Sequence, residues 1–128
     1  MRFLVDTHLL LWAAAEPHRL PSEAAALMQD EGNALHFSVI SLWEITIKNV
    51  ARRPDFQVDT RRLRALLLDS DYGEVRVEAE HTLVELPRFH RDPFDRMLVA
   101  QAAVERLVLL TVDGAMSLYG DHATIRPV

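Results

Sequence analysis

Cysteine is absent from this chain of 128 residues, which excludes disulfides and thiolate metal sites and leaves oxygen and imidazole as the ligands open to a metal. A cytoplasmic location is expected, since such a composition suits a reducing compartment. A surplus of positive charge is lacking too: the formal net charge is -5, which argues against a protein that holds nucleic acid mainly through a basic surface. A nuclease whose metals offset its own carboxylates stays allowed. Lysine is nearly missing, Lys48 being the only one, and no mechanism is drawn from that. No apolar run is long enough to cross a bilayer, so no membrane association is expected. The first residues imitate a signal peptide, with Arg2, the apolar Leu9 to Trp12 and small Ala13 to Ala15, but Asp6 and His8 interrupt the apolar region. They are read as part of the fold. Repeats, linkers and low-complexity segments are also lacking.

What is present is enough for a core. With 49% hydrophobic and 26% charged residues, residues 1–128 are expected to form one compact domain. Phe3-Leu4-Val5 reads as a first strand running into Asp6. Leu9 to Ala15 reads as a helix ended by Pro17, and a second helix follows from Ser22 as cap through Met28. Gly32-Asn33 marks a turn before a strand at Ala34 to Phe37. Ser38 starts a helix that carries Leu42, Trp43, Glu44 and Ile45 towards Arg52-Arg53, where Pro54 stops it. Asp59-Thr60 opens a helix with Leu63, Leu66 and Leu67 at helical spacing, closed by Gly73. Glu74 to Val77 is a strand, Glu78 to Leu86 a helix, and Asp92-Pro93 begins another that reaches Arg106. Leu107 to Thr111 is the fourth strand, followed by a short helix from Gly114 and a last strand near Ile125. Short strands alternating with helices predict an α/β fold whose parallel sheet is covered on both faces.

Four acids stand at element ends, each with a purely structural alternative. Asp6 ends the first strand, where open parallel sheets bind ligands, although it can equally cap the next helix. Asp113 follows the fourth strand in the same way, and Asp-Gly is also a common turn pair. Glu44 fits a capping box begun by Ser41, but if Ser38 is the cap it lies inside the helix in an apolar neighbourhood and needs another partner. In His90-Arg91-Asp92-Pro93-Phe94-Asp95-Arg96, Asp92 is most simply the cap. Asp95 suits the helix dipole, yet two acids and two arginines exceed what one cap needs. Arg91 and Arg96 are candidates for phosphate contact or for pairing with the acids.

If strands one and four are neighbours, Asp6 and Asp113 face each other, and four carboxylates in one crevice require cations. Oxygen-rich sites of this kind select magnesium or manganese. Such ions bind phosphate oxygens, and a pair of them ~4 Å apart can activate water and stabilise a leaving oxygen. The implied chemistry is phosphodiester hydrolysis.

These stretches together resemble the PIN-domain ribonucleases, and more narrowly the VapC-type toxins of bacterial toxin-antitoxin pairs. The resemblance is carried by Leu4 to His8, by Ser38 to Ile45, by His90 to Ala102 and by Leu110 to Asp113. It implies a five-stranded parallel sheet in the order 3-2-1-4-5 with helices on both faces. It places the acidic quartet, catalytic and metal-binding, on Asp6, Glu44, Asp95 and Asp113, with supporting hydroxyls on Thr7, Ser41 and Thr111. It implies magnesium- or manganese-dependent cleavage of RNA, a VapB-like antitoxin as partner and a homodimer. Leu9 to Trp12 and Leu42-Trp43 are candidates for the antitoxin surface, the alternative being that both tryptophans are core.

Where many relatives carry Asn or Ser, this chain has His8, read as the start of the first helix ahead of a contact to RNA or to a metal-bound water. His90 is a candidate contact to substrate phosphate, or a surface histidine before a helix. Lys48, Arg52 and Arg53 can guide RNA but suit a helix C-terminus as solvated cations. A dehalogenase-like phosphatase needs a second Asp where His8 stands. A response-regulator receiver needs an Asp at the end of the third strand, where Val77-Glu78 stands. The stronger rival is a catalytically silent PIN-like protein that binds RNA or an antitoxin, against which complete retention of the four acids speaks.

Overall fold

Three apolar residues of β1 (Arg2–Val5) set the architecture, because successive side chains on a strand point to opposite faces and all three are buried. Phe3 and Val5 enter one core cluster, together with Leu9 and Leu10 of α1 (Thr7–Ala15) and Ala24 of α2 (Ser22–Gln29). Leu4 enters the other. A strand covered on both faces belongs at the centre of a parallel sheet. In the computed structural model, which describes residues 1–51 and 57–128, β1 is the central strand. The sheet order is β3-β2-β1-β4-β5 with every neighbouring pair parallel, as expected, its other strands being β2 (Ala34–Ser38), β3 (Gly73–Val75), β4 (Val108–Thr111) and β5 (Thr124–Pro127). Leu4 pairs with His36 of β2 on one side and with Leu109 of β4 on the other, which fixes the register.

Helices cover both faces. On the Phe3 side lie α1, α2 and α4 (Thr60–Asp69), whose Leu63 and Leu67 are buried one turn apart. On the Leu4 side lies α6 (Pro93–Glu105), with Leu98, Val99 and Ala102, packed with Met116 and Tyr119 of a short 3-10 helix (Gly114–Tyr119). α3 (Val39–Val50) contributes Ile40 to one cluster and Ile45 to the other. No helix among the described residues is long and apolar enough to cross a membrane.

The boundaries differ from expectation in instructive places. Ser22 is the first residue of α2 rather than its cap, which is Pro21. Gly73 was expected to close α4. Instead Asp71 takes the left-handed conformation after the helix, at φ 65°, and Gly73 opens β3. A Cβ at Gly73 would lie 2.5 Å from the His36 ring, so glycine there serves the close approach of two strands. β3 ends at Val75, not Val77, and the carbonyl of Arg76 accepts from Gln101 Nε2 at 3.3 Å instead of extending the ladder. The helix expected over Glu78 to Leu86 is only α5 (Ala79–Thr82). Arg96 of α6 competes for the backbone beyond it: its guanidinium donates to the carbonyls of Leu86 at 3.1 Å and Pro87 at 2.8 Å, holding that segment as a loop. The expected stop of α3 at Arg52, Arg53 and Pro54 lies outside the described residues.

Candidate metal centre

At the carboxyl end of the sheet the chain leaves β1 and β4 side by side, the point where strand order reverses. Asp6 and Asp113 stand just past these two strands. Asp6 is the N-cap of α1, accepting from the backbone N–H of Leu9 at 2.9 Å, so its capping role is real. Its other oxygen accepts from the N–H of Val112 at 3.0 Å, and the Thr111 hydroxyl also bonds to it. Burial pushes the Asp6 carboxyl above the usual carboxylate range, with these bonds acting in the opposite direction. Capping and facing the crevice are therefore two uses of one carboxylate.

Glu44 lies inside α3, because Ser38 is the cap, its hydroxyl accepting from the N–H of Ile40 at 3.0 Å. The capping box with Ser41 does not form; Ser41 is wholly buried in the helix. The Thr7 hydroxyl lies 3.0 Å from Glu44 Oε1 and 2.8 Å from Ser41 Oγ. Thr7 has one proton to give and a carboxylate can only accept, so Ser41 supplies the proton of the hydroxyl pair. The second Glu44 oxygen meets Lys48 Nζ at 2.9 Å. Lys48, expected as a solvated cation, is thus the partner of a buried acid.

Asp92 caps α6 through the N–H of Phe94 at 2.8 Å, with Pro93 as the first helical residue. Asp95, in the first turn of α6, is raised to about 6 by desolvation and then by the negative charges of Asp92, Glu44 and Asp113. Burial and like charge thus act together on Asp95, and both penalties are of the kind a bound cation relieves. Asp113 behaves oppositely: His90 Nε2 lies 2.9 Å from its Oδ2 and holds it below the usual range, while its Oδ1 accepts from the N–H of Ala115. Asp113 thereby caps the 3-10 helix rather than making only an Asp-Gly turn. Thr111 Oγ1 accepts from the N–H of Asp113 at 3.0 Å, so one hydroxyl serves both Asp6 and Asp113.

Among the described residues, one group offers three metal-ligating atoms close together: His90, Asp95 and Asp113, with one ligand atom each, all within 4.8 Å of one another. Glu44 faces Asp95 closely enough to raise it, but neither Glu44 nor Asp6 belongs to that compact set. The donors fit a divalent ion. They are carboxylate and imidazole, and burial with nearby like charge penalises the ionised form of Asp95. His90 was expected either as a phosphate contact or as a surface histidine before a helix; its place beside the two acids depends on an approach to a residue 23 positions later, for which the local sequence carries no signal.

The loop before α6 forms the wall of the site. Arg88, His90, Arg91 and Arg96 line a cavity of about 640 Å³. Arg88 and Arg91 are exposed, whereas the Arg96 guanidinium is engaged with the loop carbonyls and, at 3.4 Å, with the Tyr119 hydroxyl. Tyr119, which carried no expectation, is fully buried and accepts the N–H of His90 at 2.9 Å. Trp43 is 59% exposed and meets Phe94 edge-on, so it is not a core residue. Trp12 is partly buried beneath the Arg19 guanidinium. His8 lies within α1, exposed, its ring 6.0 Å from that of Trp12.

The sequence matches the family described as PIN domain over residues 3–121. No curated protein matches it. Solved structures similar over the whole chain include VapBC2 from Rickettsia felis bound to a DNA fragment from their promoter, at 13% identity and TM-score 0.66, covering 100% of this chain and 99% of that one. VapBC-1 from nontypeable Haemophilus influenzae is similar at 12% identity and TM-score 0.65, covering 99% and 98%. VapBC-5 from Mycobacterium tuberculosis is similar at 18% identity and TM-score 0.57, covering 99% and 97%.

Proposed function

The chain belongs to the PIN-domain family, and from that premise we propose that it is a magnesium- or manganese-dependent endoribonuclease, the toxin of a VapBC-type toxin-antitoxin pair. The observation that carries this reading is the set of His90, Asp95 and Asp113 within 4.8 Å at the carboxyl end of the sheet, with the Asp95 carboxyl raised to about 6 by burial and then by the surrounding acids. Asp95 and Asp113 would hold the ion, and Asp6 and Glu44 would complete the acidic quartet. A bound magnesium or manganese supplies Lewis acidity towards a phosphodiester.

The protein's own groups prepare the site. Two backbone donors immobilise Asp6, and each of its oxygens keeps acceptor capacity for a further partner. Thr7, Ser41 and Lys48 orient the Glu44 carboxylate. Thr111 ties Asp6 to Asp113. Exposed Arg88 and Arg91 beside His90 receive backbone phosphates of RNA, which gives a protein of net charge -5 a local positive wall where substrate enters. Arg96 contributes by holding that wall in place.

Partnership with a VapB-like antitoxin is supported by the similarity to VapBC structures along the full chain. An exposed apolar stripe on α3, Trp43, Ile47 and Val50, is a surface such a partner or the second copy of a homodimer can cover. The rival, a silent PIN-like binding protein, requires no metal.

Incubation of the purified chain, free of any antitoxin, with RNA and magnesium or manganese tests the reading. Cleavage is expected, with loss on chelation and in Asp6→Asn while circular dichroism shows that variant folded. Cleavage that survives chelation, or that persists in Asp6→Asn, refutes it.

A further inference from the structure

An imidazole stands among the carboxylates of the candidate centre, its Nε2 at ligand spacing from one of them. An octahedral ion with bonds of ~2.1 Å sets adjacent ligands ~3.0 Å apart and opposite ones ~4.2 Å apart. The 2.9 Å between His90 Nε2 and Asp113 Oδ2 is already the separation of adjacent ligands. The third atom, from Asp95, completes a set spanning no more than 4.8 Å, within a small side-chain adjustment of one ion.

The imidazole is held from outside the set. The backbone N–H of His90 donates to the Tyr119 hydroxyl at 2.9 Å, the two rings lie 5.7 Å apart, and Arg96 reaches the backbone carbonyl of His90 at 3.4 Å. In the metal-free protein the carboxylate of Asp113 calls for the proton on His90 Nε2. A metal at Nε2 requires that proton on Nδ1 instead. Nδ1 is buried with no hydrogen-bond partner, so the change of tautomer breaks no bond there, while the N–H it creates finds no acceptor among the described residues.

We propose that His90 is a metal ligand of this centre, which makes it a mixed nitrogen and oxygen site selective for manganese over magnesium. The inference rests on the nuclease reading of the same site. Magnesium demands oxygen ligands and retained water, whereas manganese, though it stands at the weak end of the Irving–Williams order, is a transition-metal ion that accepts an imidazole nitrogen more readily than magnesium does. The other imidazole within electrostatic reach, His8, is felt by both Asp6 and Asp113 and is the competing nitrogen.

Calorimetric titration of the full chain with manganese alone and magnesium alone, and pulsed electron paramagnetic resonance of the manganese-loaded protein, test this without reference to cleavage. Nitrogen hyperfine coupling is expected in the wild type and in His8→Ala, and its loss in His90→Ala and His90→Gln. His90→Ala is expected to weaken manganese on the order of tenfold and magnesium by about twofold or less. His90→Gln keeps a polar oxygen and is expected to narrow the preference without abolishing binding. Absence of nitrogen coupling in the wild type overturns the proposal, as does its persistence in His90→Ala or its loss only in His8→Ala. Equal weakening of both ions overturns it too. Asp95→Asn separates the two levels: undiminished manganese binding in that variant removes the metal-centre reading itself, whereas its loss with unchanged ion preference in His90→Ala removes only the role of His90.

Discussion

The carboxylate of Asp6 accepts the backbone N–H of Val112 at 3.0 Å, a bond that joins positions 106 residues apart. It locks the end of β1 to the end of β4, one residue before Asp113. The same carboxylate caps α1, so the helix start and the strand junction share one side chain. Asp6→Asn is therefore expected to separate function from folding. Asn retains one acceptor oxygen and forfeits one of the two backbone bonds, at about 1 kcal/mol, while relieving a buried charge. The melting temperature is expected to stay within about 5 °C of wild type while cleavage falls by roughly two orders of magnitude or more. A calorimetric scan beside a cleavage assay checks both; a collapse of the fold would show the capping role to dominate.

Thr7→Val removes the hydroxyl that joins Glu44 to Ser41 and keeps the side-chain volume. The buried carboxylate then lacks one of its two partners, Lys48 remaining, at a cost of about 1 to 3 kcal/mol. The denaturant midpoint is expected to fall by that loss divided by the slope, the slope itself unchanged, and cleavage to fall with it. Thr7→Ser restores the hydroxyl and is expected to recover most of both.

Alternating strands and helices were legible in the sequence because β1 and β4 are short apolar runs ended by Asp6 and Thr111. The same pattern could not fix which strands are neighbours; the order came with the family resemblance, and pairing of Val5 with Leu110 bears it out. The competing caps Ser38 and Ser41 were both visible, and the choice between them followed from burial of Ser41 against Thr7, a contact 34 residues apart. The loop after α5 was misread as helix for a similar reason. Its backbone partners are on Arg96, and a helical propensity over Glu78 to Leu86 contains nothing about a guanidinium ten residues beyond Leu86.

Arg96→Ala is expected to release that loop. Carbonyls of Leu86 and Pro87 lose a charged donor, and a loss of about 2 to 3 kcal/mol in stability follows. Amide exchange over residues 86–91 is expected to accelerate more than in α1 or α2. Arg96→Lys offers a point charge in place of the planar fork and is not expected to restore the wild-type pattern. Equal acceleration across the chain would assign Arg96 to global packing instead.

Asp95 gives the pH dependence its sign. Its carboxyl is raised from 3.8 to about 6 in the metal-free fold, so the ionised form is the penalised one. The penalty is absent below the unfolded value, grows between 3.8 and about 6, and is complete above that. Asp95→Asn is therefore expected to stabilise the metal-free protein by ~1 to 2 kcal/mol at neutral pH, allowing for the partial exposure of the group. The gain is expected to vanish near pH 4. With saturating manganese the sign reverses. A ligand bound only by the native state adds ~2.7 kcal/mol at a hundred times its dissociation constant, and Asp95→Asn forgoes it. Because the ion competes with the proton on Asp95, apparent affinity is expected to fall as pH drops below about 6, approaching tenfold per unit. Melting curves of both proteins across that range, with and without manganese, decide it: a variant no more stable than wild type in chelator at neutral pH would mean that neither burial nor the surrounding acids penalise the ionised Asp95.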